Sequence, residues 1–149
     1  MKRFRFRLEQ VLRVRRLQEE IARGALMAAH HGAREAADRL NERIEDYAAA
    51  SRPSGAQSYD AFNRMQFRLD NAAGAITIAR AEYRQALHLV DVRRAEWTAA
   101  RQRVAALERL ETRRRDEHAI EARRAEDRIV DDLVVARHAR GEHARGGHV

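Results

Sequence analysis

Apolar residues recur at alternating steps of three and four along the second half of the chain. Thirteen of the fourteen positions at this spacing are apolar, and Arg93 is the exception. The fourteen positions are Phe62, Met65, Leu69, Ala72, Ile76, Ala79, Tyr83, Ala86, Val90, Arg93, Trp97, Ala100, Val104 and Leu107. Such a heptad pattern is typical of a left-handed coiled coil. The same count beyond Leu107 meets mostly charged residues, so the predicted seam ends there.

The first third of the chain carries a second and looser apolar stripe. Its members are Leu8, Val11, Val14, Leu17, Ile21, Ala25, Ala29, Ala33, Ala37, Leu40, Ile44 and Tyr47. Between Leu17 and Ala37 every step is four residues, and the side chains there are mostly small. This spacing departs from the heptad and predicts close helix packing with little supercoiling.

Helix-breaking residues are concentrated between the two stripes. Pro53 and Gly55 disfavour a helix, so the first helix should end near Ala50. Ser58 can cap the N-terminus of a new helix, and Asp60 would then complement the dipole of its first turn.

The two stripes together predict an all-α fold, a long antiparallel two-helix coiled-coil hairpin with a longer second helix. We expect a single hairpin over residues 1–139, with helix 1 at about 4–50, a turn at 51–58 and helix 2 at about 59–138. The Gly- and His-bearing tail at 140–149 is expected to be disordered.

A turn centred near residue 54 predicts which residues lie side by side. It places Tyr47 beside Phe62, and Phe4 beside about Ala105. Residues from about 108 onward would then continue helix 2 without a partner from helix 1. In that stretch an apolar patch lacks a predicted intramolecular partner and favours partner binding; it consists of Ile129, Val130, Leu133 and Val134.

The net charge of +7 over 149 residues is concentrated at the N-terminus. Residues 1–16 hold seven basic side chains against the single acid Glu9, whereas the remaining chain is nearly balanced. The basic residues are Lys2, Arg3, Arg5, Arg7, Arg13, Arg15 and Arg16. A local excess of this kind indicates one basic end that docks against something acidic.

The sequence offers no pattern for chemistry of its own. It has no cysteine, no Gly-rich phosphate loop and no Ser-centred nucleophile elbow. His30 and His31 are adjacent and point about 100° apart on a helix, which does not suit a metal site. We therefore expect no enzymatic activity, no catalytic or metal-binding residue and no cofactor. The sequence also has no apolar run that could span a membrane, and its first ten residues lack the apolar region of a secretory signal, so we expect a soluble cytoplasmic protein.

Aromatic residues are concentrated near the turn. They are Tyr47, Tyr59, Phe62 and Phe67. Two interpretations remain open, a packed hairpin tip and a partner-docking surface. Tyr83 and Trp97 lie on the seam, as Phe62 does, and these three are interpreted as core residues.

Two blocks of sequence resemble a known family. The first runs from Phe6 through Leu8, Val11 and Leu12 to basic Arg15, followed by acids; the second is the Leu-Glu-Arg-Leu-Glu run with three arginines at 107–115. Both are similar to the flagellar FliJ family, as are the chain length and the longer second helix.

The resemblance implies a non-enzymatic component of the bacterial flagellar type III protein export apparatus. Members are coiled-coil stalks that dock into the hexameric export ATPase, contact the membrane export-gate protein and assist export chaperones. By this resemblance the chain would be cytoplasmic and peripheral at the inner face of the cell membrane through its partners.

The family's roles can be carried over to the two ends of the predicted hairpin. The ATPase-docking end would comprise Arg5, Phe6, Leu8, Val11, Leu12, Arg13, Arg15, Arg16, Arg109, Arg113 and Arg114. The gate-docking end would be the turn, with Tyr47, Tyr59, Phe62 and Phe67.

The alternative is a basic coiled coil that binds nucleic acid or an anionic membrane through its N-terminus. Against it, the three arginines at 113–115 are flanked by Glu111, Asp116 and Glu117. No nucleic-acid partner is therefore expected.

Overall fold

The computed structural model describes residues 3–53, 55 and 58–145, with side chains up to residue 138. It contains two helices, α1 (Glu9–Ala50) and α2 (Tyr59–Arg145), and no strand within these described residues. The all-α fold is therefore confirmed as a helical hairpin whose second helix is the longer one.

Helix α1 begins at Glu9 and not near residue 4 as the stripe predicts. The preceding residues alternate basic and apolar side chains, which is the period of an extended segment. The amide of Glu9 donates to the carbonyl of Phe6 at 3.2 Å, and Phe6 itself is buried. Burial of the Phe6 side chain thus disfavours a further helical turn before Glu9.

The turn lies where the sequence predicts it. Helix α1 ends at Ala50 and α2 begins at Tyr59. The hydroxyl of Ser58 accepts a hydrogen bond from the amide of Ala61 at 3.2 Å, so Ser58 is the predicted N-cap. At the other end, the Ser51 hydroxyl donates to the carbonyl of Tyr47 at 2.8 Å.

Helix α2 continues to Arg145, past the end predicted near residue 138. Gly141 lies inside this last part, where glycine costs about 1 kcal/mol relative to alanine and its Ala, Arg and Glu neighbours favour a helix. The rest of the tail predicted to be disordered, residues 146–149, lies outside the described residues.

The chain divides into two compact units, which are described separately. The N-terminal/α2 unit comprises residues 1–14 and 104–149, and the hairpin unit comprises residues 15–103. In the hairpin unit, α1 and α2 run antiparallel around a thin seam of small side chains. Its buried residues are Ala29, Ala33, Ala36, Ala79, Val90 and Ala100.

The seam predicted for α2 is confirmed at all but one position. Phe62 is 52% exposed, whereas the other thirteen seam positions are buried or half-buried. Tyr83 and Trp97 are therefore seam residues, and the interpretation of Phe62 as a core residue is wrong.

The seam predicted for α1 is wrong over its first half and at its last two positions, Ile44 and Tyr47, which are 43% and 38% exposed. Val11, Val14, Leu17 and Ile21 are exposed. The less exposed positions instead follow a strict heptad: Leu12, Arg15, Glu19, Ala22, Leu26, Ala29, Ala33, Ala36 and Leu40. Two charged residues occupy this true seam, which is why a search for apolar residues follows the neighbouring face.

The predicted register is also wrong. In the hairpin unit, Arg39 contacts Glu82 at 4.0 Å, about 12 residues further along α2 than predicted. In the N-terminal/α2 unit, Phe4 contacts His118 and not Ala105. Pro53 lines an open groove with Tyr59 and Phe62.

Candidate functional site

The extended N-terminal segment is attached to α2 by an aromatic and cationic cluster. The ring of Phe4 meets that of His118 edge-on, with 5.6 Å between centroids and 62° between planes. The guanidinium of Arg115 lies 5.7 Å from the Phe4 centroid and donates to Glu111 at 2.7 Å. Contacts of this type are each worth about 0.5–1 kcal/mol at exposed sites, so together they fix the segment on the helix.

Sequence reasoning missed this cluster. Arg115 was visible only as part of an arginine run, and Phe4 and His118 carried no signal as a pair. The alternation of Arg3, Phe4, Arg5 and Phe6 was the available clue, because an extended segment presents alternate residues to opposite sides.

The predicted N-terminal docking residues separate into buried and exposed sets. Phe6 and Leu12 are buried and so support the fold of their unit. Leu8 and Val11 are exposed, as are Arg5 and Arg13, and Arg13 lies 4.0 Å from Glu9.

Arg15 and Arg16 belong to the hairpin unit. Arg15 occupies a seam position and donates to Gln18 at 3.0 Å. Arg16 is exposed and also has an interaction partner. The predicted docking set is therefore distributed over two units.

The predicted docking arginines of α2 are exposed in the N-terminal/α2 unit. Arg114 pairs with Glu117 at 3.0 Å, while Arg109 and Arg113 line one open groove with Ala105 and Ile120. Within the described residues, neither Arg109 nor Arg113 makes an ion pair under 4.0 Å. Both side chains are exposed.

Exposed aromatic side chains surround the start of α2 in the hairpin unit. Tyr59 is 79%, Phe62 52% and Phe67 68% exposed, and all three line a groove with Pro53. Tyr47, near the end of α1, is 38% exposed. The tip is therefore not a packed aromatic core.

The apolar patch predicted on α2 is exposed within the N-terminal/α2 unit. All four of its residues have more than half of their surface accessible: Ile129, Val130, Leu133 and Val134. Such a patch on a helix suits the apolar face of a partner helix.

None of the charged side chains in the described residues is buried, and no group of three or more His, Cys, Asp or Glu among them is placed to hold a metal ion. No helix in the described part of the chain is long and apolar enough to cross a membrane.

Comparison with known proteins gives one match. The family model described as flagellar FliJ protein matches residues 4–143 of the chain. No curated protein and no solved structure matches it significantly.

Proposed function

Because the chain belongs to the FliJ family and is thus a component of the flagellar export apparatus, we propose that it is a non-enzymatic stalk that docks into the hexameric export ATPase, contacts the membrane export-gate protein and assists export chaperones. The observation that supports ATPase docking most directly is the pair of accessible arginines, Arg109 and Arg113, in the unit that also holds the basic N-terminal segment.

The electrostatics of this unit suit a ring of acidic or carbonyl-bearing loops. Arg5, Arg109 and Arg113 are exposed, and each rim contact contributes modestly to affinity while speeding and orienting encounter. The Phe4–His118–Arg115 cluster holds the N-terminal segment on α2. The partner would therefore meet a preorganised surface, which lowers the entropic cost of docking.

The turn of the hairpin unit is the surface that we assign to the export gate. Tyr59, Phe62 and Phe67 are each more than half exposed and line one groove, and clustered exposed apolar side chains mark interaction sites. Tyrosine and phenylalanine are enriched at the centres of protein interfaces. The exposure of these side chains favours a partner-docking surface over a packed hairpin tip.

In this proposal, the partners of the chain account both for its peripheral location at the membrane and for its assistance to export chaperones. The apolar patch of Ile129, Val130, Leu133 and Val134 is a further surface at which a partner helix can bind.

The test is reconstitution with a purified flagellar export ATPase and, separately, with the soluble part of an export-gate protein. We expect the chain to co-purify with the ATPase and raise its hydrolysis rate. If it instead binds DNA or anionic vesicles in a salt-sensitive manner and leaves the ATPase unaffected, the phosphate-binding alternative replaces this proposal.

A further inference from the structure

An apolar patch with acidic neighbours lies in the C-terminal part of α2, within the N-terminal/α2 unit. Its apolar side chains are each more than half exposed: Ile129, Val130, Leu133, Val134 and Val135. Between residues 126 and 135, Arg128 is the only base against four exposed acids, which are Glu126, Asp127, Asp131 and Asp132. Large apolar side chains are exposed in both units, but this stretch is locally acidic in a chain of net charge +7. We call it the acidic patch, and its charge suits a basic partner.

The opposite charge is found in the N-terminal segment of the same unit. Phe6 is buried and the Phe4 ring lies against His118, so the arginines that alternate with them are left exposed to water. These arginines are Arg3, Arg5 and Arg7. The segment therefore presents a row of positive charges away from its own attachment to α2.

Carboxylates of the same copy do not balance these arginines. Arg3 and Arg5 line an open groove with Glu9, Glu111 and Arg115. Glu111 already accepts a hydrogen bond from Arg115 at 2.7 Å, and Glu9 lies 4.0 Å from Arg13. Four arginines stand against the single acid Glu9 between residues 3 and 14, so the segment keeps an excess of positive charge.

Exposed apolar side chains follow the arginines directly. Leu8 is 37%, Val11 42% and Val14 53% exposed, and the three residues are spaced three apart at the start of α1. The N-terminus of the unit is thus apolar and basic, whereas the acidic patch is apolar and acidic. The two surfaces are complementary in charge and similar in hydrophobic character.

A single copy cannot bring these two surfaces together. Phe4 lies against His118, and Glu9 lines a groove with Glu111, so the segment runs along α2 away from the acidic patch. From His118 to Val130 the helix rises about 18 Å. The N-terminal segment that meets the acidic patch must therefore come from another molecule.

We propose that a second copy of this chain covers the acidic patch with its N-terminal segment and the first turns of its α1. Two-fold symmetry forms the contact twice, because each copy has one basic and one acidic surface. Arg5 and Arg7 of one copy then face the carboxylates of the other, and Val11 packs on the apolar side chains of the acidic patch.

The oligomeric state of the full chain tests the proposal. Sedimentation equilibrium should show a monomer–dimer equilibrium that weakens when sodium chloride is raised from about 50 mM to about 500 mM. Asp127→Arg combined with Asp131→Arg should weaken dimerisation about tenfold or more, and so should Arg5→Asp combined with Arg7→Asp. All four positions are exposed, so circular dichroism should show the helix content of the wild type.

Combining the two pairs of substitutions identifies the occupant. The variant with all four changes exchanges the charges of the two surfaces and should dimerise about as well as the wild type. As a matched control, Glu42→Arg with Glu45→Arg reverses two exposed carboxylates of the hairpin unit and should leave dimerisation unchanged.

Three results would overturn the proposal. The first is a wild type that stays monomeric at every concentration, which would leave the acidic patch to a different partner. The second is a four-change variant that dimerises as weakly as the two pairs, because the two surfaces would then not face each other. The third is a control that weakens the dimer as much as the test pairs do.

Cysteine linkage between two variants locates the contact, since the natural chain contains no cysteine. Val11→Cys mixed with Val134→Cys should give a mixed disulfide-linked dimer on oxidation. Ile44→Cys, at a residue of the hairpin unit that is 43% exposed, should not link to Val134→Cys. Linkage through residue 44 and none through residue 11 would contradict the proposed contact.

Discussion

The indole N–H of Trp97 donates to a carboxylate oxygen of Glu19 at 2.6 Å, and this hydrogen bond joins α1 to α2 within the hairpin unit. Both residues occupy seam positions of their helices, and the guanidinium of Arg101 lies 5.4 Å from the Trp97 ring. A polar pair in a mostly apolar seam favours one register, because any shift would leave both groups without their partner.

Trp97→Phe should lower the free energy of unfolding by about 1 kcal/mol, since a ring remains in the seam but the hydrogen bond to Glu19 is lost. Urea denaturation followed by circular dichroism measures the change. Glu20→Ala, at an exposed neighbour of Glu19, is the control and should change stability by less than about 0.5 kcal/mol. Equal stability of Trp97→Phe and the wild type would show that the bond contributes nothing in solution.

Leu12→Ala should cost about 2–4 kcal/mol, because Leu12 is only 3% exposed. Val11→Ala, at the adjacent residue that is 42% exposed, should cost less than about 1 kcal/mol. The comparison distinguishes the observed seam of α1 from the one that its apolar stripe predicts. A larger loss of stability for Val11→Ala than for Leu12→Ala would support the seam predicted from the apolar stripe instead.

Paired cysteines report the register of the hairpin unit. Ala33 and Val90 belong to one buried cluster, so cysteines at these two positions should form a disulfide within one chain. Cysteines at Tyr47 and Phe62, the pair that a tight turn centred near residue 54 predicts, should not. Mass spectrometry of the oxidised double variants reads out both. Linkage of the second pair alone would contradict the observed register.

The seam of α2 could be predicted because apolar residues occupy every heptad position from Met65 to Leu107 except Arg93. The seam of α1 could not, because Glu19 is a seam residue only by virtue of Trp97, a partner 78 positions away. Meanwhile Leu17 and Ile21 look like core residues in the sequence and are exposed.

The register and the candidate site depended on features that local patterns do not encode. The register seen in the contact of Arg39 with Glu82 is about 12 residues further along α2 than a turn centred near residue 54 predicts. The contact of Phe4 with His118 depends on an extended N-terminal segment, which the apolar stripe of α1 does not reveal. By contrast, the basic N-terminus and the cluster of aromatic residues near the turn could be identified directly from their positions in the sequence.

Removing the aromatic side chains of the turn should affect binding to the export gate and leave binding to the ATPase intact. Replacing Tyr59, Phe62 and Phe67 together by serine should abolish binding to the export-gate protein, because these exposed rings carry the apolar area of that surface. Stimulation of the ATPase should persist, and helix content should be unchanged. Isothermal titration with the gate protein measures the loss; unaltered affinity would remove the turn from the proposed interface.

Stimulation of the flagellar export ATPase by a charge-reversed chain tests the central claim most directly. With Arg109, Arg113 and Arg114 all changed to Glu, hydrolysis in the presence of the variant should fall to the level of the ATPase alone, because the complementary charge is inverted. The matched control reverses Arg64, Arg68 and Arg80, exposed arginines of the hairpin unit, and should stimulate as the wild type does. Full stimulation by the 109/113/114 variant would contradict docking through this surface.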